Sequence, residues 1–211
     1  MKSDYLKPQT YEELYRVMQR DNVLAIRVSV ETGLRIDDVL RLKWENFGKS
    51  TQFTYLAKKT GKKGVKKISK RLKTELFSRK TEKSPFVFPG RKRGSHRTRQ
   101  AVWKDIKKAA DLMGVSLNAS PHSARKTYAV ELRKTEGLGA VQKELQHSDM
   151  TTTMLYAFAD MARGGKREPI PETGDLIELA DLIATKVFEK LKSELEGRCP
   201  YLAEAKKKDQ H

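Results

Sequence analysis

The 211-residue chain has a single cysteine, Cys199, and only four histidines. One thiol cannot build a disulfide framework or a multi-cysteine zinc site, a usage that fits a reducing cytoplasm. Four histidines leave little material for a metal cage. Long apolar runs are missing too. The stretch Val23 to Val30 is broken by Arg27, and nothing approaches the roughly 18 consecutive apolar residues of a membrane span. The opening MKSDYLKPQT lacks the apolar stretch of a signal peptide. A cytoplasmic location with no membrane partner is the expectation. The loops that mark common enzymes are also absent: there is no GxxxxGKS or GxxxxGKT, since TGKKG is too short and wrongly ordered, and no GxGxxG, HExxH, CxxC or GxSxG. Nucleotide hydrolysis and zinc chemistry lack support, so no metal and no cofactor is expected. Asn118-Ala119-Ser120 spells a glycosylation sequon, but a cytoplasmic protein never meets that machinery.

Acid is the remaining shortage. Against 44 Lys and Arg stand 27 Asp and Glu, a formal net charge of +17. Charged residues make up 34% of the chain and hydrophobic residues 37%; that is enough for one core, in a chain well above the roughly 25% charge of an average domain. One domain with an appendage fits this length. A surplus of this size calls for an anionic partner, and its distribution is focused. Residues 58–73 hold nine Lys and Arg with no acid, and residues 91–108 hold eight against Asp105 alone. Lys58, Lys62, Lys63 and Lys66 in the first run, and Arg91, Lys92, Arg93, Arg97 and Arg99 in the second, are candidate contacts to nucleic-acid phosphates. Solvated surface is the plainer reading of either run by itself. Residues 168–211 are net −3, leaving +20 for residues 1–167.

The pattern of elements is mainly helical. Thr10 and Glu13 have the spacing of a capping box, which starts a first helix near residue 10. A second helix is expected over about 22–32 with Gly33 as its C-cap, and a third with Asp37 and Asp38 in its first turn, which puts Arg35 at a helix start. From Thr51 to Ser69 the residues read as a β-hairpin around Gly61 and Gly64, and Phe86 to Phe88 as a short third strand. A helix over about 98–113 carries the stripe Val102, Ile106, Ala109 and Met113, with Trp103 and Trp44 read as core. Ser120-Pro121 is an N-cap followed by a first-turn proline, which sets His122 and Arg125 on one face of the next helix. A short helix ending near Gln146 and another over about 151–162 follow. The fold expected is α+β: mainly α with a small antiparallel three-stranded β-sheet. A linker is read over 163–174, an amphipathic helix over 175–196, with Leu176, Ala180, Ile183, Val187 and Leu191 on one side, and an unstructured tail over 197–211.

These residues suit attack on a phosphodiester without a metal. The reaction has three needs: a nucleophile that loses its proton, neutralisation of the extra charge on pentacoordinate phosphorus, and a proton for the departing sugar oxygen. Arginine, with a permanently charged planar fork, answers the second. Lysine or histidine answers the third, and an activated tyrosine can be the nucleophile.

TGLRIDDVLRLKW, PHSARKTYAVEL and LQHSDMTTTMLYAF resemble, in order and spacing, the three motif blocks of the tyrosine site-specific recombinases, or phage-type integrases. The resemblance spans roughly residues 8–160, the catalytic domain of that family. It implies that Arg35 and Arg125 hold the non-bridging phosphate oxygens and that His122 and His147 bond the phosphate. It further implies that Lys59 of the hairpin protonates the leaving oxygen and that Tyr156 attacks to form a 3′-phosphotyrosyl link. Lys58, Lys62 and Lys63 are rivals to Lys59 for that proton. Asp38 falls on the family's acidic position, where it either orients His122 or is a first-turn helix charge. The implied partners are double-stranded DNA and further copies of the chain, a tetramer on paired sites, with neither ATP nor metal.

Gln146 stands where the family usually has Gly, Ser123-Ala124 where it has Asp-Leu, and Phe158 where it commonly has His. Only about nine residues precede the region of resemblance, where the family normally carries a DNA-clamping domain of about 80 to 100 residues. An excised fragment and a minimal form both fit, and DNA binding is expected to be weak and strongly salt-dependent. A type IB topoisomerase-like enzyme and a non-catalytic DNA-binding regulator on the same fold are the alternatives to a recombinase. The C-terminal helix is expected to pass to a neighbouring protomer, to pack on its own domain, or to cover the basic surface until DNA displaces it.

Overall fold

In a computed structural model of the protein, residues 3–116 and 118–145 are described, the side chains at 137–139 and 142–145 excepted. The chain divides into two units, Met1–Arg163 and Gly164–His211. The expected helix over 151–162, the linker, the C-terminal helix and the tail lie outside the described residues. The described elements are α1 (Pro8–Tyr15), α2 (Arg20–Thr32), α3 (Ile36–Leu40), a 3₁₀ turn (Trp44–Asn46), β1 (Gln52–Leu56), β2 (Lys63–Lys67), α4 (Lys70–Phe77), α5 (Arg99–Leu112) and α6 (Pro121–Leu145). None is long and apolar enough to cross a membrane.

Helix α2 is the centre of the packing, set against α3, α4, α5 and α6. Leu24, Ala25, Ile26, Val28, Ser29 and Thr32 are all buried, so more than one face is covered. Gly33 ends it in the left-handed conformation, φ 69°, and donates its N–H to Ser29 O at 2.9 Å. Reversal here is what lets α3 start three residues later, and a side chain at this φ would be strained.

Helix α1 begins earlier than the capping box predicts. Pro8 lies in its first turn, Lys7 is the N-cap, and no side chain caps it. The reason lies in the preceding segment, which is fixed from outside: Leu6 is fully buried, its carbonyl accepts Thr127 Oγ1 at 2.8 Å, and Asp4 N donates to Asn118 O at 3.0 Å. The chain arrives at Pro8 already oriented, and the ring's preset φ starts the helix there.

The hairpin forms as expected. Strands β1 and β2 are antiparallel, with Phe53 opposite Lys66 and Tyr55 opposite Gly64. Phe53 and Tyr55 are buried while their neighbours on β1 are exposed, the alternation that the pleat imposes. The third strand is a correction. Among the described residues the sheet has two strands, and Phe86 forms an isolated bridge with Lys43 instead. Pro85 and Pro89 remove donors on either side, so no ladder extends from that bridge.

Helix α4 was not legible. It buries only Leu72 and Leu76 within KRLKTELF, and Ser69 Oγ caps it by accepting Leu72 N at 3.1 Å. Thr98 caps α5 in the same way, accepting Ala101 N at 3.2 Å. Val102, Ile106 and Ala109 are buried as the stripe requires, whereas Met113 and Trp103 are exposed. Trp103 is one residue from Val102, so it turns about 100° away from the core. Trp44 packs against the core edge, its ring 5.4 Å from Phe77. Helix α6 is a single helix of 25 residues where two were expected; Gly137 and Gly139 weaken it without breaking it.

Candidate active site

Arg35 is the N-cap residue of α3, in extended conformation, and its carbonyl accepts Asp38 N at 2.9 Å and Val39 N at 3.1 Å. Its side chain is half-buried. Arg125 lies one turn into α6 and is buried; its Nη1 donates to Gly33 O at 2.5 Å. Gly33 therefore serves both arginines. Its left-handed turn launches the segment that carries Arg35, and its carbonyl fixes the guanidinium of Arg125.

His122 is three residues before Arg125. Ser120 Oγ accepts its N–H at 3.2 Å, and its ring is open to solvent on one side. Partial desolvation by its neighbours lowers its pKa, and the positive charges of Arg99, Arg125 and Arg35 lower it further against the pull of Asp37. The imidazole thus lies in the field of both arginines and favours its neutral form, able to accept a proton.

Lys59 is exposed in the turn between the strands, which Gly61 closes by donating to Ala57 O at 2.8 Å. Asp38 is buried, and its Oδ1 accepts the backbone N–H of Lys58 at 2.9 Å. Its Oδ1 bond thus goes to the hairpin turn, and the field of the neighbouring Asp37 reaches His122. Asp38 ties the residue beside Lys59 to the helix that follows Arg35.

Two groups that sequence reasoning did not place in the site lie in the field of Arg125. Tyr55 on β1 is buried, and its phenol is pushed up first by burial and then by Asp38, against the opposing fields of Arg125 and Arg35. Its ring lies flat over Gly64, where a Cβ would come within 2.6 Å of Tyr55 Cε1. The alternation of β1 was the only signal for it. Lys66, grouped with the surface lysines by composition, points inward from β2. Its Nζ lies 5.6 Å from the centre of the Tyr128 ring on α6, and its pKa is pushed down to about 8, by burial first and by Arg125 second.

Beside His122 is a cleft of about 310 Å³ lined by Arg99, Gln100, Trp103, Lys107 and Asn118 among others. This cleft explains why Trp103 is exposed. Of the candidate DNA contacts, Lys58, Lys62, Lys63, Arg91, Lys92, Arg93 and Arg99 are exposed. Arg97 is half-buried: its Nη2 pairs with Asp21 at 2.8 Å and its Nη1 donates to Asn22 Oδ1 at 3.1 Å. These bonds hold its charge against the start of α2. His147 and Tyr156 lie outside the described residues. Among the described residues no three His, Cys, Asp or Glu side chains gather as metal ligands.

Residues 4–163 match the phage integrase family. The chain belongs to that family. Among its relatives is the tyrosine recombinase XerD of Shewanella oneidensis, 32% identical over 142 residues, which are 63% of this chain and 47% of the relative. XerD of Listeria innocua is 28% identical over 155 residues, 68% of this chain and 52% of the relative. This integrase-family chain spans about half the length of the curated relatives it matches. Its fold resembles that of a chain in the crystal structure of a lambda integrase tetramer bound to a Holliday junction, with a TM-score of 0.65 at 19% identity over 80% of this chain and 52% of that one. The catalytic domain of bacteriophage HP1 integrase gives 0.55 at 20% identity, over 75% of this chain and 89% of that domain.

Proposed function

We propose that this chain cuts and rejoins duplex DNA as a site-specific tyrosine recombinase, acting in the cytoplasm on paired sites. The observation that carries the reading is the gathering of Arg35, Arg125 and His122 around Gly33, with the lysine turn tethered to the same place through Asp38. Two guanidinium groups, that of Arg125 held by Gly33 O, and a neutral imidazole make a pocket for a phosphate whose negative charge grows during reaction. In the proposed step the phenolic oxygen of Tyr156, having lost its proton, forms a bond to phosphorus. The bond from phosphorus to the 5′-oxygen breaks, its electron pair stays on that oxygen, and Lys59 supplies the proton that makes a free 5′-hydroxyl. The phosphoester is exchanged, so the 5′-hydroxyl of a partner strand can reverse the step and complete the rejoining. His147 assists His122 on the phosphate. Copies of the chain assemble as a tetramer, in which the segment 175–196 passes to a neighbour.

The test is covalent capture. The protein and its Tyr156→Phe variant are incubated with a nicked, randomised duplex library, and denaturant-resistant adducts are isolated and sequenced. Adducts with the wild type alone are expected, together with DNA binding by both. Adducts that persist in the variant would displace Tyr156 as nucleophile, and binding by the wild type with no adduct would make the chain a DNA-binding regulator.

A further inference from the structure

The turn of a two-stranded hairpin carries Lys59, and among the described residues no third strand braces it. Phe53 and Tyr55 bury one face of β1, but apolar contact has no direction and leaves the strands able to slide. A pair of strands is marginal by itself, so its aim depends on polar anchors. The turn has one, the bond from Lys58 N to Asp38. Two more hold the base. On the side of β1, Lys73 of α4 gives its ammonium to three consecutive carbonyls, Gly48 O at 2.7 Å, Lys49 O at 2.9 Å and Ser50 O at 2.5 Å. An ammonium has three donors, so this lysine of the basic run spends all of them on backbone. On the side of β2, Glu31 accepts Ser69 N at 2.8 Å and Ser69 Oγ at 3.0 Å. The two legs of the hairpin meet between these anchors, where Ile68 N donates to Thr51 O at 3.1 Å.

Both anchors lead back to α2. Glu31 lies in its last turn, two residues before the Gly33 whose carbonyl holds Arg125. Helix α4, which carries Lys73, is fixed to α2 by Glu75, whose carboxylate takes Arg20 at 2.9 Å and Arg27 at 2.5 Å, and by the pair of Arg79 with Asp21. We propose that Glu31 and Lys73 are positioning residues for proton transfer: they set the base of the hairpin from the same helix that sets Arg125, and so fix where Lys59 meets the departing 5′-oxygen. This rests on the recombinase reading above, with Lys59 as the proton donor. Neither residue acts on the phosphate itself. Their bonds act through the strands, and losing either one leaves the arginine pocket in place while the lysine turn shifts against it.

The test uses the full chain and a duplex recovered with the wild type by covalent capture, made with either oxygen or sulfur at the bridging 5′ position of the cleaved phosphate. When the phosphorus–sulfur bond breaks, the electron pair stays on sulfur, and the thiolate leaves without a proton because a thiol is a far stronger acid than an alcohol. A defect in proton delivery therefore disappears on the sulfur duplex, whereas a defect in folding, DNA binding or phosphate holding persists. At saturating protein, Lys73→Met and Glu31→Gln are each expected to cleave the oxygen duplex about 10-fold more slowly than the wild type, a part of the roughly 100-fold or more that a placed acid contributes. Both are expected to match the wild type on the sulfur duplex. The ratio of the two rates is read within one preparation, so partly inactive protein cancels, and thermal melting identifies a variant that fails to fold. Full speed of both variants on the oxygen duplex, or equal slowing on both duplexes, would overturn the proposal. Lys59→Met separates the reading beneath it: slow on oxygen and restored on sulfur, it establishes Lys59 as the donor, and the two anchors then stand or fall alone. A Lys59→Met protein of full speed, or one that stays slow on sulfur, would remove Lys59 as the donor and the proposal with it. Failure of the wild type to form any adduct would overturn the recombinase reading first.

Discussion

Residues 58–67 and residues 91–99 are both dense in Lys and Arg, yet the fold treats them differently. In the hairpin, Lys58, Lys59, Lys62 and Lys63 are exposed while Lys66 turns toward Arg125. In the second run, Arg91, Lys92 and Arg93 are exposed, but Arg97 is drawn into a network at the start of α2. Asp21 accepts both Arg97 and Arg79, and Asp105 accepts Gln19 N at 2.9 Å and Asn22 Nδ2 at 2.6 Å. The strand geometry of the hairpin permits one inward lysine per pleat. The second run, lacking a strand, spends an arginine on joining its loop to the central helix. A basic run is thus three populations: cations exposed to solvent, a half-buried cation in the field of Arg125, and a cation bonded to the central helix.

Substitutions sharpen that division, the largest expected effect coming from the structural arginine. Arg97→Ala strips Asp21 and Asn22 of charge-assisted bonds and is expected to lower unfolding stability by about 2 kcal/mol. Urea titration would measure it; the salt dependence of DNA binding should stay as in the wild type. A changed salt slope with unchanged stability would return Arg97 to the DNA-facing set.

Removing the outward lysines should do the reverse. In Lys62→Ala/Lys63→Ala, the dependence of binding on salt is expected to become shallower by about 0.9 for each phosphate no longer neutralised. Stability should change little, because both side chains are exposed. Titration of binding over a range of salt concentrations would show whether these lysines touch DNA.

The smallest effect concerns Arg99, exposed at the start of α5 and the first cation to act on His122 after desolvation. Arg99→Ala removes a like charge, so the imidazole titration followed by NMR should move up toward 6.5, the value it has when unperturbed. The sign carries to stability. With the folded pKa below 6.5, the unfolded chain binds the proton more readily, so the fold loses stability as the pH falls from 6.5 through the folded value, and the variant loses less. No movement on substitution would place Arg99 beyond reach of His122.

Local chemistry made much of the framework legible. Gly33 as a C-cap, the acidic first turn of α3, Ser120-Pro121 at the start of α6 and the hairpin around Gly61 each rest on a residue whose backbone preference acts within one turn. What depends on distant partners was not readable. Helix α4 has two buried residues amid lysines, Phe86 pairs with Lys43 rather than the sheet, and Asp38 bonds to Lys58, twenty positions along the chain.

The sequence by itself determined the family, through the spacing of its motif blocks, and the net charge of +17 that calls for a polyanion. It also determined which residues are chemically able to hold a phosphate, since that follows from side-chain type. Only the tertiary structure decided which of those cations meet. Arg35 and Arg125 are 90 residues apart and are united by the carbonyl of Gly33 and the packing of α2 against α6, while Lys66 lies in the field of Arg125 and Arg97 pairs with Asp21. The physical reason is range: backbone preference and capping act over a few residues, whereas the field at a phosphate site sums charges that only packing brings together.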